Sequence, residues 1–418
     1  MRITSTNAAR LATTTNPARR RQARVQVIDL FSGCGGMSYG FQRAETSRLK
    51  FEILGGLDVD THANATYQRM TGAPALESDI RDLLAPAFLK KCTEHWNLDQ
   101  SRPLILIGCA PCQGFSSHRK KDPRKDSRNE LLQAFASVTV RLSPDLVIME
   151  NVPEMMQSKH WRHFSSWKQT LEDAGYNVRA RIYNLAQFGV PQERYRALII
   201  ASRSRNAPFM PQPTFTPSEF VTVRQAIGGL PPLIAGGRDL ADPMHETSKH
   251  RPDTVRLISL IPKDGGSRRS LPPGVGPSCW NGVDGFRDVY GRLWWDRSAV
   301  AITARCRTPS CGRFTHPEQD RGLSAREAAL LQGFPPDFHF CGPFDDRYKQ
   351  IGNAVSPLFS KALAEHLDRH WDLASRSWRT ADDTGNDIVN PLKKSFSSGL
   401  ASMKRRLRHA HQSDPVSA

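Results

Sequence analysis

No stretch of the 418-residue chain approaches the roughly 20 consecutive apolar residues of a membrane-spanning helix, which predicts a soluble, cytoplasmic protein with no membrane partner. The N-terminus lacks the apolar core of a secretory signal. Its Arg/Thr-rich, acid-free composition is shared with mitochondrial transit peptides, although a disordered basic tail accounts for it as well. Eight cysteines scattered along a large chain without an export signal read as reduced thiols and not as a disulfide framework. Internal repeats are absent. Acidic residues are missing from residues 1–24, which carry six arginines, and nearly missing from residues 389–418, which are net +5. The two tails hold +11 of the net charge of +17. Charge alone therefore supports only nonspecific attraction to nucleic acid or an acidic surface.

Between the tails, short apolar runs alternate with helical patterns. The runs are "VQVIDLF", "FEILGGLDV", "PLILIG", "DLVIMENV", "YNVRARIYN" and "ALIIAS", and the helical stretches include "HANATYQRM", "NELLQAFASVTVRL" and "HFSSWKQTLEDAG". Strands apolar on both faces and linked by helices imply an α/β fold with a parallel sheet. Residues 203–299 differ: they hold 12 Pro and 11 Gly, so loops and short strands are expected in a smaller, irregular, inserted domain. Regular pattern returns with "AITAR", "SAREAALLQGF" and "PLFSKALAEHLDRHW". The last is an amphipathic helix with Leu358, Ala362, Leu363 and Leu367 on one side, expected to complete the first domain. The expected organisation is a basic tail over residues 1–24, a first domain over 25–202 plus 300–372, the insert at 203–299, and a basic C-terminal tail over 373–418.

"VIDLFSGCGGMSYGF" reads as a buried strand entering a turn at Gly33, Gly35 and Gly36 and then a helix, whose N–H groups would face a ligand. Ser38 breaks the G-x-G-x-x-G spacing of a dinucleotide site. Asp58 closes the second strand and Asp79 follows a third. Acids at such strand ends suit a nucleoside-containing cofactor without a pyrophosphate, or else are solvated acids beside a tight turn.

Cys109-Ala-Pro-Cys112 has the spacing of a thioredoxin-like pair, but "QGFSSHRKKDPRKDSR" after it has no helical pattern to lower a thiol pKa. A zinc site would need a second ligand pair, and Cys306, Cys311 and His316 lie in strand and loop texture. The remaining reading makes Cys112 a nucleophile in a loop after a buried strand, near Arg119, Lys120, Lys121 and Arg124. Glu150, ending a neighbouring strand, could face the same pocket and donate a proton if burial raises its pKa. Gln192, Arg194 and Arg196 alternate along an extended segment, so all three would point to one side as an anion or carbonyl clamp. Each of these residues also has an ordinary structural reading.

Taken together, the blocks "DLFSGCGG", "PCQGFS", "DSRN-L", "ENV", "Q-E-R-Y-R", "RGLSAREAALLQGFP" and "YKQIGNAVSP" give a chain that resembles the bacterial-type DNA (cytosine-5) methyltransferases across nearly all of residues 25–372. The resemblance implies a Rossmann-like, mostly parallel methyltransferase domain with an inserted target-recognition domain, and S-adenosylmethionine as cofactor. It implies that Phe31, Gly33, Gly35 and Gly36 line the cofactor, that Asp58 stands where the family usually has a ribose-binding Glu, and that Asp79 and Ile80 touch the adenine edge. Asn353, Ala354 and Val355 would close that pocket. Cys112 would attack cytosine C6, Glu150 would bind N3 and the amino group, Arg196 the O2 region, and Arg194 the site or a phosphate. Gln113, Ser116, Arg128, Gln192 and Thr303 would contact DNA, and the basic loop from Ser116 to Arg128 would close over it. No metal is implied. Where family members often show Pro-Thr-x-Thr this chain has Val300, Ala301, Ile302 and Thr303, so the threonine contact to the flipped nucleotide's phosphate is either missing or moved to Thr303. Cys109 lies outside the family's catalytic set and is expected to be a buried strand-end thiol.

The expected partner is duplex DNA, bound by a monomer associated with a bacterial nucleoid, and a cognate restriction endonuclease encoded nearby is an open possibility without direct binding. A tRNA cytosine-5 methyltransferase of the same superfamily is the alternative. The insert, sized to read base edges in a major groove, favours DNA. A non-catalytic DNA-binding relative is disfavoured by intact Cys112, Glu150 and Arg196.

Overall fold

A computed structural model of the chain describes residues 22–111, 128–204, 206–272, 274–280, 288–373, 375, 377, 378, 383 and 385–393. In chain order the first half holds β1 (Ala23–Leu30), α1 (Gly36–Gln42), β2 (Leu49–Asp58), α2 (Thr61–Thr71), β3 (Ala75–Glu77), α3 (Pro86–His95), β4 (Leu104–Gly108), α4 (Arg128–Leu142), β5 (Leu146–Asn151), α5 (Trp161–Asp173), β6 (Asn177–Asn184), β7 (Gln192–Glu193) and β8 (Tyr195–Ser202). Seven of these strands form one sheet in the order β3-β2-β1-β4-β5-β8-β6. All neighbours from β3 to β5 pair in parallel, whereas β8 runs antiparallel to both β5 and β6. The expected mostly parallel α/β sheet is present. The reversal of β8 follows from its short connection to β6, which leaves no room for a crossover helix.

The two faces of the sheet bury alternate residues. On β4 and β5, Leu104, Leu106, Val147 and Met149 pack on one side with Phe135, Phe164 and Trp167 from α4 and α5. Ile105, Ile107, Leu146 and Ile148 pack on the other with Phe41 of α1. Burial on both faces is why these strands read as unbroken apolar runs.

The second half holds α6 (Val223–Ile227), α7 (Pro252–Ser259), β9 (Ala299–Val300), α8 (Ala325–Leu331), α9 (Phe344–Asn353), α10 (Pro357–His370), β10 (Trp371–Asp372) and β11 (Ser377–Trp378). Among the described residues, 203–298 contain short helices and loops and no strand, where short strands were expected. A separate core joins Val223, Ile227, Met244, Leu293 and Trp295 to Ile302, Phe314, Ala328 and Ile351. Core residues on both sides of the 299/300 boundary thus pack together.

α10 packs back on the large sheet, with the expected Leu363 and Leu367 buried and Ala362 partly buried there, and Leu358 alone departs from the expected face. Leu358 is 38% exposed, while Phe359, Leu363, Ala364 and Leu367 are buried against the sheet. The region after residue 373 is also more than a tail. Ile388 N–H donates to Ala180 O (2.8 Å), Leu392 N–H donates to Met156 O (2.8 Å), and Asp383 and Asp387 pair with Arg179 and Arg181 of β6.

The block "RGLSAREAALLQGFP" owes its residues to one buried ion pair. Arg321, fully buried, donates to both oxygens of Glu327 at 2.8 and 2.7 Å, and Ser324 and Glu327 cap α8 reciprocally. Burial would push the Glu327 carboxyl up, yet the Arg321 guanidinium overrides it and holds the carboxyl down at about 2. A depressed carboxylate stabilises the fold above its unfolded pKa and loses that contribution as pH falls toward 2. Glu327→Gln strands Arg321 in the interior and is expected to cost about 3–5 kcal/mol, read as a lowered denaturation midpoint at neutral pH that converges with the parent chain in acid.

Candidate active site

The strand ends at the C-terminal edge of the sheet carry the site. Phe31, at φ 59°, occupies the left-handed region that a bulky residue rarely adopts, and its ring packs edge-on to Phe135. The turn continues through Gly33 (φ 50°) and Gly35 (φ 83°) into α1. At Gly33 the space where a side chain would project is open, whereas a Cβ on Gly36 would sit 2.2 Å from Val355 O. The far end of the chain therefore abuts the glycine turn through Val355. Asn353 is exposed beside it, and Gln332 Nε2 donates to Ala354 O at 2.7 Å.

Asp58 closes this cradle from β2. Its two oxygens accept Gly33 N–H (2.9 Å) and Asp60 N–H (3.0 Å), and burial raises its pKa against those bonds. Asp79 caps the 3-10 turn Ile80–Leu84, and its carboxylate is paired with Arg81 at 2.7 Å, while Ile80 is buried. Val59, which sequence reading passed over, is 64% exposed immediately after Asp58. An exposed apolar residue after a strand-end acid was the available signal.

Beneath the turn lies a second feature not anticipated from sequence. Asp29 is buried at the end of β1, accepts from Ser38 Oγ at 2.6 Å, and that hydroxyl meets Tyr67 Oη at 3.0 Å. The acid interrupting an apolar strand in "VIDLF" was its sign.

Glu150 ends β5 and is 2% exposed. Arg196 Nε lies 2.8 Å from its Oε1, and Cys109 Sγ donates to its Oε2 at 3.1 Å. Cys109, expected to be a buried strand-end thiol, stands just past the end of β4 but is only half-buried, and it is hydrogen-bonded to Glu150. Asn151 Nδ2 donates to Ala110 O (3.1 Å) and so ties the end of β5 to the loop leading to Cys112. Cys34 and Cys306 are fully buried thiols, each pushed up to about 12 by desolvation, which removes them as nucleophiles. His316 Nδ1 accepts the N–H groups of Glu318 and Gln319 and is committed to the loop.

Gln192, Arg194 and Arg196 do not form one clamp. Gln192 is buried, accepts Ile302 N–H at 2.8 Å and donates to Leu331 O at 2.9 Å. Arg194 is buried and donates to Ile302 O (2.7 Å) and Gly352 O (3.1 Å), so it braces backbone instead of reaching a phosphate. Both grip Ile302, and the next residue, Thr303, is exposed. Between Gln192 and Arg196 the chain passes from β7 into β8, and only Arg196 reaches the large sheet. Cys112, Gln113, Ser116 and the loop up to residue 127 lie outside the described residues. Arg128 opens α4, and its side chain is outside them too.

The profile of the family described as C-5 cytosine-specific DNA methylase matches residues 25–369. The chain belongs to this family. This C-5 cytosine-specific DNA methylase is 34% identical over 350 residues to the Type II methylase M.HgiDII of Herpetosiphon aurantiacus, covering 82% of this chain and 95% of that protein. It is 34% identical over 341 residues to the Type II methyltransferase M1.HphI of Haemophilus parahaemolyticus, covering 81% and 85% respectively. Among solved structures, a DNA modification methyltransferase encoded within an E. coli prophage superposes with a TM-score of 0.61 at 23% identity, over 82% of this chain and 98% of that one, a likeness of fold.

Burial drives the Asp29 carboxyl up to about 7 despite the Ser38 hydroxyl that donates to it. A carboxyl raised in the folded state lowers stability as pH climbs from its unfolded value near 4 to about 7, by an amount on the order of 4 kcal/mol. Asp29→Asn in the methylase is expected to flatten that decline, measured by urea unfolding at pH 5 and pH 8.

Proposed function

We propose that the chain transfers a methyl group from S-adenosylmethionine to C5 of a cytosine flipped out of duplex DNA, through a transient Cys112 adduct. The observation that carries this reading is the buried Glu150–Arg196 ion pair at the C-terminal edge of the sheet, one strand from the loop that leads to Cys112. The glycine-and-acid cradle lies across β1 from it.

The cradle suits the cofactor. Each Asp58 oxygen accepts one N–H and keeps a lone pair for a ribose hydroxyl, and the open space at Gly33 admits a ligand close to backbone. Phe31 and Val59 would flank the adenine, Ile80 and Asp79 its edge, and Asn353, Ala354 and Val355 the wall beyond Gly36. S-adenosylmethionine supplies the electrophilic methyl group when bound.

Cytosine C5 is a weak nucleophile until the ring is activated. The Cys112 thiolate bonds to C6, which pushes the C5–C6 electron pair onto C5 and the ring nitrogens. Glu150 in its protonated form donates to N3, where negative charge develops, and accepts from the amino group with its other oxygen, and Arg196 holds the carboxyl and the O2 side. After C5 takes the methyl group, loss of the C5 proton to a base breaks the Cys112–C6 bond. Stacked cytosine is out of reach, so the base must leave the duplex, with the basic loop from Ser116 to Arg128 closing over the strand. Thr303 would meet the backbone of the flipped nucleotide, and Gln192 and Arg194 would act by bracing it. Residues 25–202 plus 300–372 supply the catalysis and residues 203–299 the target reading.

The Type II methylase and methyltransferase relatives favour duplex DNA in a bacterial cytoplasm over tRNA, with a companion endonuclease acting on the same sequence. Duplex DNA carrying 5-fluorocytosine has no C5 proton to lose and is expected to trap the wild-type chain covalently, visible as a gel shift stable to denaturant. Cys112→Ser should abolish the trapped species and lower turnover by more than about 10³-fold. Methylation of tRNA alone would refute the assignment. Asp58→Ala is expected to weaken S-adenosylmethionine binding about ten-fold or more in equilibrium dialysis, for the loss of two hydroxyl contacts to a carboxylate.

A further inference from the structure

We propose that Cys109 is a positioning residue for the reaction, holding the Glu150 carboxylate in the orientation that meets the cytosine; this rests on the reading of Glu150 given above. Cys109 immediately follows β4, and the pairing of Gly108 with Met149 puts it level with Glu150 on the neighbouring strand. Ile105 and Ile107 share a face of the sheet with Ile148, and Cys109 packs on the same side. Alternation places Glu150 there as well, and on β8 it places Arg196 with Leu198 and Ile200. Three adjacent strands thus deliver a thiol, a carboxylate and a guanidinium to one face at one level.

The two partners of the carboxylate differ in kind. Arg196 Nε stands 2.8 Å from Oε1 but is not aligned as a hydrogen-bond donor, so it contributes charge without fixing direction. Cys109 Sγ, 3.1 Å from Oε2, makes the directional contact. The terminal torsion of a glutamate is broad, and a carboxylate held by charge alone would swing. The thiol removes that freedom and leaves one oxygen to accept from the amino group of the base and the other to carry the proton that N3 accepts. The thiol is itself held, because Asn151 Nδ2 clamps Ala110 O (3.1 Å) and Val152 N–H donates to Asn151 Oδ1 (2.8 Å). A neutral donor serves this place better than a second cation, which would oppose the protonation of the carboxyl that N3 requires. Cys109 keeps its proton throughout and forms no bond to substrate.

The test uses the full chain, unmethylated bacteriophage genomic DNA and S-adenosylmethionine with a tritiated methyl group. Cys109→Ala is expected to lower kcat about five-fold, the effect of one modest hydrogen bond, with KM for DNA and the thermal midpoint within about two-fold and a few degrees of the parent. Cys109→Ser, whose hydroxyl donates to the same carboxylate, should restore kcat to within about two-fold. Cys109→Gly is a second donorless variant should the alanine chain not fold. Unchanged kcat in the donorless variants, or equal loss in the serine and alanine variants, overturns the role of Cys109. Failure of the wild-type chain to form the 5-fluorocytosine adduct overturns instead the catalytic reading on which it rests.

Discussion

Everything in this molecule hangs on a contact between its two ends. The backbone at Gly36 lies so close to Val355 O that no side chain fits between them, and the helices that follow each residue, α1 and α10, pack together against one face of the sheet. That closure brings residues more than 300 positions apart in sequence into a single wall of the ligand cradle. It also fixes what may be placed between them. The long segment after β8 must leave the sheet and come back, so it can carry its own core without disturbing the first.

The return path is locked as firmly as the closure. Gln192 and Arg194 hold the two polar groups of Ile302, and Gly352 lets that segment approach α9 backbone to backbone. Arg321 and Glu327 fasten α8 from within. Buried arginines are costly unless every donor finds an acceptor, and here they find mostly carbonyls, which makes them mechanical parts. The chemistry proposed above would fall to a small set of strand-end groups on the sheet, where positions are set more tightly than loops allow.

What the sequence disclosed follows that division. Runs such as "PLILIG" and "DLVIMENV" announced doubly buried strands because apolar residues occupy both parities. The helices α2, α4, α5, α8 and α10 were visible in their spacing. The direction of β8 was not, since a strand carries no mark of its polarity relative to neighbours. Leu358 was assigned to the buried face and Phe359 omitted, because helical periodicity leaves the exact angle of an apolar stripe open to a residue on either side. Arg194 and Gln192 were taken for ligand contacts because a buried side chain satisfied by distant carbonyls looks the same in sequence as one facing a substrate. Cys109 was read only as a buried strand-end thiol for the converse reason: its partner, Glu150, lies 41 residues away. The acids Asp29 and Asp58 sat in plain view, but only the one at the outer end of its strand could be assigned a task.

The segment from Asp383 to Leu392 has a further consequence. It meets β6, the last strand of the sheet, with Ile388 bonded to the Ala180 carbonyl and four ion pairs between Arg179 and Arg181 and the aspartates Asp383 and Asp387 fastening it in place. At the opposite border stands β3, only three residues long. An open seven-stranded sheet would otherwise present two rows of unpaired amides to any passing strand. One border carries this segment and the other is only three residues long, so the stretch expected to be a basic tail occupies part of an edge that would otherwise be open to strand pairing.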